Sequence, residues 1–330
     1  MFIVNSLPLA VIFCLITMLG WGSWANTQKL AGKDEWRFPL FYWDYALGIL
    51  LLSVVFMFTL GTLGSSGMPA LQNLHQAQAL PVRHAIVSGA LFNIANILLV
   101  VAIDAAGLSV AFPVGIGLAL IIGTVASYFQ APKGNPVLLF AGVGAVLLAM
   151  IFSGIAYSRL SRSGSGWIKG VLFAVIAGCL MGFFYPELSR SISPNFTKGA
   201  IDPGFLTPYT ALFLFSVGVV ASNVVVNTIF LRASHLTYGK YLHGAFRLHA
   251  LGIIGGVIWM VALTTNILAS GVAGPAISYA LGQGATLIAA IWGVVIWREF
   301  RNAPAGTAVY IALMFFGYAA GLCMIGAATL

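Results

Sequence analysis

Pro113-Val114-Gly115-Ile116-Gly117, running on through Gly123, has a counterpart in Gly282-Gln283-Gly284, which runs on through Gly293. Each stretch follows a polar-dotted helix and a break. Asn93-Ile94-Ala95-Asn96 leads to Gly107 in the first half, and Trp259 with Thr264-Thr265-Asn266 leads to Gly271 in the second. The chain therefore carries an internal repeat across its midpoint, and the meaning of that repeat depends on the solvent around it.

That solvent is lipid. Only 7% of the 330 residues are charged and 60% are hydrophobic, whereas a soluble domain carries about 25% charged residues. Crossing the hydrocarbon layer takes about 20 mostly apolar residues, and ten such runs are expected near 6–28, 39–63, 83–103, 107–129, 136–157, 169–189, 206–231, 246–267, 271–297 and 305–329. The longest connections, 64–82, 190–205 and 232–245, are too short for a soluble catalytic domain of about 50 residues or more. No basic segment precedes the first run and no small-residue cleavage site follows Trp21-Gly22-Ser23-Trp24, so this helix is expected to be retained.

The net charge of +8 is unevenly spread. Odd-numbered loops hold Lys29, Lys33, Arg37, Arg159, Arg162, Lys169, Arg232, Lys240, Arg247, Arg298 and Arg301, and even-numbered ones Arg83, Lys133, Arg190 and Lys198. The positive-inside bias places both termini outside a multi-pass cell-membrane protein and the 158–168 connection in the cytoplasm. Basic residues scattered over short membrane-flanking loops exclude a nucleic-acid surface. Cys14, Cys179 and Cys323 lie in apolar sequence without CxxC spacing and read as packing residues, so neither disulfide nor metal is expected. No cofactor is expected either.

Residues 158–168, Ser-Arg-Leu-Ser-Arg-Ser-Gly-Ser-Gly-Trp-Ile, form the one polar, flexible seam. They divide the chain into 1–157, a cytoplasmic linker at 158–168, and 169–330. Five runs precede the seam and five follow. Because five is odd, the second half enters the membrane in the opposite sense. The expected fold is an all-α integral membrane protein of ten transmembrane helices in two inverted five-helix repeats, a geometry that lets two halves rock about a midplane site.

Polar residues in such spans are expensive and point to function. Asp44, after Phe41-Tyr42-Trp43, is either a structural anchor paired with a base such as Lys29 or Arg37, or a proton-coupling carboxylate. Glu187, in Tyr185-Pro186-Glu187, either serves a proton site or faces water at the span end. Asp104 is expected to cap the fourth helix, and Glu299 to form an ion pair with Arg298 or Arg301. Asn93 and Asn96 project from one helix face, as do Asn223 and Asn227. Carboxamides donate and accept at once, which suits a neutral polar solute, although they also glue helices together. Gln283, between two glycines, has room beside it. Trp21, Trp24 and Tyr279 offer rings for stacking. His84, His243 and His249 flank spans as loop histidines, of which His243 and His249 can respond to pH.

Several of these positions resemble the plant ureide permeases. The likeness rests on Trp24, Phe41-Tyr42-Trp43-Asp44-Tyr45, Phe58-Thr59-Leu60-Gly61, Asn96 with Gly107-Leu108-Ser109-Val110, Gly123-Thr124 to Tyr128-Phe129, and Gln283 with Trp292-Gly293. Asn96 and Trp259 also match positions of the more distant rhamnose-proton symporter. The resemblance implies the drug/metabolite transporter superfamily, a central cavity, and proton-coupled carriage of an oxo-heterocycle. The long central loop of the plant proteins is reduced here to 158–168. No GxxxxGK[ST] or HExxH occurs, which excludes ATP-driven transport and a zincin-type enzyme. The expected function is secondary transport of a ureide, oxo-heterocycle or nucleobase, with a sugar or nucleoside as the alternative. Asn96, Gln283, Asn93, Trp24 and Tyr279 are the expected solute contacts, with Asp44 first and Glu187 second for the proton.

Overall fold

The computed structural model describes residues 1–32, 35–64, 66–160 and 167–329. Lys33, Arg162 and most of the 158–168 seam lie outside the described residues. Ten helices are long and apolar enough to cross a membrane, at Leu7–Ala31, Phe38–Phe58, Ala79–Ala106, Ser109–Gln130, Pro136–Ser158, Trp167–Ser191, Pro208–Ala233, Phe246–Ala273, Pro275–Ile296 and Thr307–Ala327. They coincide with the ten expected runs, and no strand occurs among the described residues. Helices satisfy their own backbone groups, which lipid cannot do.

The first span is α1 (Leu7–Ser23) followed by α2 (Ala25–Ala31), and the second is α3 (Phe38–Phe58). Short α4 (Ala70–Gln76) precedes α5 (Ala79–Ala106), α6 (Leu108–Gln130), α7 (Pro136–Ser158) and α8 (Trp167–Ser191). The second half continues with α9 (Pro208–Ala233), short α10 (Tyr238–Leu242) and α11 (Phe246–Ala273). The ninth span is divided into α12 (Pro275–Gly282) and α13 (Ala285–Ile291), and α14 (Thr307–Ala327) ends the chain. Proline occupies the first turn of α1, α3, α7, α9 and α12, where its missing N–H costs nothing. Asn135 and Thr207 cap α7 and α9 with their side chains.

Asp104 does not cap the fourth span. It lies within the last turn of α5, and Gly107 (φ 83°) is the N-cap of α6. A non-glycine residue is strained at that angle, so the helix break falls at the glycine rather than at the acid.

Apolar side chains face outward. Val11, Ile12, Leu15 and Leu19 on α1 are 42–55% exposed, as a lipid-facing stripe requires. Thr17, Ser53, Asn93, Asn223, Asn227 and Asn266 are buried instead.

The chain packs as two compact units. The first comprises Met1–Ile94 and Glu187–Val272, the second Ala95–Pro186 and Ala273–Leu330. In the first unit two helix crossings match. A Cβ at Gly256 of α11 would overlap the Tyr45 carbonyl oxygen of α3, and one at Gly48 the Ile253 carbonyl. Likewise a Cβ at Gly89 of α5 would overlap the Phe215 carbonyl oxygen of α9, and one at Gly218 the Ile86 carbonyl. Only glycine permits these backbones to touch. In the second unit α6 packs on α7 and α12, and α7 lies along α14, with Gly142 and Gly321 facing one another's backbone.

Candidate functional site

In the first unit, Asp44 sits in the second turn of α3, and its side chain packs on α11 at Gly252, where a Cβ would overlap the Asp44 Cβ. Tyr241 of α10 donates its hydroxyl to Oδ1 at 2.7 Å. His249 of α11 approaches with Nδ1 at 2.9 Å from Oδ1 and 3.0 Å from Oδ2. An ionised carboxylate only accepts, so Nδ1 carries the hydrogen. The acid is thus paired with His249, rather than with the expected Lys29 or Arg37. Burial, and next the bond to Asp44, hold the Tyr241 phenol well above its usual range, so it stays a donor. The Trp36 ring stands edge-on to His249 at 5.0 Å and stacks on Tyr241 at 6.0 Å.

Glu187 is the second acid of this unit. His84 Nδ1 lies 2.6 Å from its Oε1, and Arg190 3.3 Å from its Oε2. Asp44 opens the second span and Glu187 closes the sixth. Because successive spans alternate in direction, the two acid–histidine pairs stand at opposite membrane faces.

Between those faces lies an aromatic cluster centred on Trp259 of α11. Phe92 is 4.2 Å from it between ring centroids, Phe215 5.9 Å, Trp21 6.0 Å and Tyr45 6.5 Å. Trp24, at the α1–α2 junction, contacts Tyr45 at 4.7 Å. Next to Phe92 in sequence is Asn93, fully buried, with neither carboxamide atom hydrogen-bonded among the described residues. Asn223 is in the same position on α9, whereas Asn227 donates to the Pro39 carbonyl at 2.9 Å and ties α9 to α3. Trp259 was not among the expected solute contacts, and its place at the centre of this cluster follows from helix packing that the sequence did not show.

The second unit holds the other three candidates. Asn96 is buried on α5. Gln283 lies where the ninth span breaks: N–H groups of Gly284, Thr286 and Leu287 bond to the carbonyls of Leu281, Gln283 and Gly284. This is the tighter i to i+3 pattern that marks hinges and sites inside helices. The Thr286 hydroxyl donates to the Gln283 carbonyl at 2.8 Å. Tyr279 is fully buried in the α6–α12 seam. Its hydroxyl donates to the Ala119 carbonyl at 3.2 Å, and its ring fills the space beside Gly123, 4.8 Å from Tyr185. Glu299 accepts from the Tyr157 hydroxyl at 2.8 Å.

The structure therefore groups Trp24 and Asn93 in one unit, Asn96, Tyr279 and Gln283 in the other, and gives each candidate acid a histidine. Comparison with known proteins bears on the same residues. Residues 41–165, which include Asp44, Asn93 and Asn96, match the sequence model of the Ureide permease family. Ureide permease 1 and ureide permease 2 of Arabidopsis thaliana are each 21% identical, covering 100% of this chain and 99% of their own length. A protein of known crystal structure shares the fold with a TM-score of 0.57 and 16% identity, covering 96% of both chains. The chain is ureide permease-like over its whole length.

Proposed function

We propose that this chain is a secondary active transporter of a small neutral polar metabolite, best a ureide, oxo-heterocycle or nucleobase, driven by protons. The ureide permeases are transporters and not enzymes, and their likeness supports the class. The observation that carries the solute chemistry is Asn93. Its buried N–H and C=O groups have no partner among the described residues, and each such group costs about 1–3 kcal/mol. A ureide presents adjacent C=O and N–H groups that complement a carboxamide edge to edge, and a flat oxo-heterocycle suits the Trp259 ring cluster. Asn96 and Gln283 extend the same chemistry in the second unit, and Trp24 supplies a second ring. Asp44 is the coupling acid and Glu187 the alternate.

The matched glycine crossings support two inverted repeats at 1–157 and 169–330. Gly89 and Gly256 differ by 167 in number, as do Ile86 and Ile253, and the helix-capping Gly107 and Gly274 (φ 83° and 90°). The chain resides in the cell membrane with both termini outside.

A second reading, a sugar or nucleoside substrate, is favoured by the stacked Trp21 and Trp259 rings, which also suit a pyranose face. Proteoliposomes under an inward proton gradient decide between them. Accumulation of labelled allantoin or uracil, lost in Asn93→Ala, is expected. Accumulation of a monosaccharide alone would overturn the substrate class, and none of these solutes moving would overturn transport.

A further inference from the structure

We propose that His249 is the loop-side proton port of Asp44: the proton that Asp44 exchanges with the solution on that face passes through this imidazole. The inference rests on the proton-coupled reading above and adds a residue and a route to it.

The two side chains divide the work by position. Asp44 is 3% exposed, with both carboxylate oxygens engaged, whereas His249 is 23% exposed. The ring spans from dry to wet. Its Nδ1 holds the acid, and its Nε2 faces the α10–α11 loop, where a Cβ at Gly244 would sit 2.8 Å away. That loop is surface: Leu242 is 73% and Phe246 86% exposed. The imidazole is thus the more accessible member of the pair, and Nε2 is the nitrogen that the carboxylate leaves open. Trp36 and Tyr241, both edge-on to the imidazole, hold it in this bridging pose.

The flanking ionisable groups aim elsewhere. Arg37 donates to the Ser234 carbonyl, Arg247 to the Leu30 carbonyl, and His243 turns Nδ1 to the Gly239 carbonyl. Tyr241 is the remaining titratable group on the acid, and it serves as a fixed donor. Glu187 differs on both counts, since it is 20% exposed and already has Arg190 beside it. Protonation therefore takes the Asp44 pair from one negative charge to none, a change that a span can feel.

The transfers balance. A hydronium on the loop side gives its proton to Nε2, and the Nδ1 proton passes to Asp44. Water, a protonated carboxyl and a neutral imidazole carrying its hydrogen on Nε2 result. Release to the loop side is the reverse of both transfers, and exchange with the opposite face takes place in the other state of the cycle.

The test uses proteoliposomes with an entrapped pH dye and allantoin as the probe. Allantoin-linked proton uptake is expected to fall by about a hundredfold in His249→Gln, the scale of a positioned proton-transfer group, and to vanish in Asp44→Asn. Exchange of labelled allantoin should continue in both. In His249→Ala, added imidazole should restore proton uptake in proportion to its concentration. Retained proton uptake in His249→Gln, alongside loss in Asp44→Asn, overturns the port alone. So does loss in His249→Ala that imidazole does not rescue, which makes His249 a structural partner. Retained uptake in Asp44→Asn, or none in the wild type, overturns the coupling reading beneath it.

Discussion

Asn73 and Asn93 are both fully buried asparagines of the first unit, and they carry opposite energies. Asn73 donates to the Phe205 carbonyl at 3.0 Å and accepts from the Thr207 N–H at 2.9 Å and from the Thr210 hydroxyl. Asn93 makes no such bond among the described residues. Replacing each by leucine, which keeps the branching and the number of side-chain heavy atoms, should therefore have opposite signs. Asn73→Leu removes three bonds and leaves the Thr207 N–H unpaired, while the Phe205 carbonyl keeps Gln76 and the Thr210 hydroxyl keeps the Thr207 carbonyl. It is expected to destabilise by about 1–3 kcal/mol, whereas Asn93→Leu removes two unmet groups and stabilises by about 1–3 kcal/mol. Thermal unfolding in detergent reads both, and a destabilised Asn93→Leu would mean that Asn93 is helix glue after all. Burial of Asn93 was legible in the sequence, because polar residues inside spans avoid lipid. Burial of Asn73, in the 64–82 connection, was not, since its partners Phe205 and Thr207 lie more than 130 residues away in the chain. The same distance hid His249 from Asp44. A histidine four residues into a span reads locally as a loop residue, and only the α3–α11 crossing makes it a partner.

At the scale of elements, hydropathy alone located all ten spans, because a membrane helix must be continuous and apolar. What it missed were interruptions and loop order. The ninth span reads as one apolar run, but its i to i+3 tightening at Gln283 and Gly284 depends on backbone geometry that composition does not encode. The 192–206 connection is similarly ordered without a hydrophobic signal. There Ser193 donates to Asp202 at 2.6 Å and Asn195 at 3.0 Å, and the Asp202 N–H returns a bond to the Ser193 hydroxyl. These bonds, Ser193 first, hold the Asp202 carboxyl below its usual range. A depressed carboxylate stabilises the fold above its unfolded pKa and ceases to do so as pH falls through the folded one. Protection of 192–206 against hydrogen exchange should thus be level from pH 7 to 5 and decline below about pH 4. Asp202→Asn should flatten that decline, and an unchanged profile would remove the carboxylate from the loop's account.

Across the whole chain, the inverted repeat we propose rests on two matched crossings, with α11 on α3 and α5 on α9. Gly89→Ala and Gly256→Ala should then destabilise to a similar degree, by about 1–3 kcal/mol each. Gly144→Ala, with nothing within 4 Å of its Cβ, should gain about 0.5–1 kcal/mol of helix stability. Unequal losses at the first two positions would break the equivalence of the crossings. Orientation is a separate question, because no packing contact distinguishes inside from outside. It rests on charge: Lys29, Arg37, Arg159, Lys169, Arg232, Lys240, Arg247 and Arg301 flank one set of span ends, and Arg83, Lys133, Arg190 and Lys198 the other. Basic residues resist translocation, and the proposed orientation accordingly puts the richer set in the cytoplasm. With Cys14, Cys179 and Cys323 changed to alanine, a single cysteine at Lys198 should react with an impermeant thiol reagent added to intact cells. One at Lys169 should react only after the membrane is opened. The reverse pattern would turn the protein over in the bilayer, place the His249 loop outside, and make Asp44 the acid that loads from the external solution.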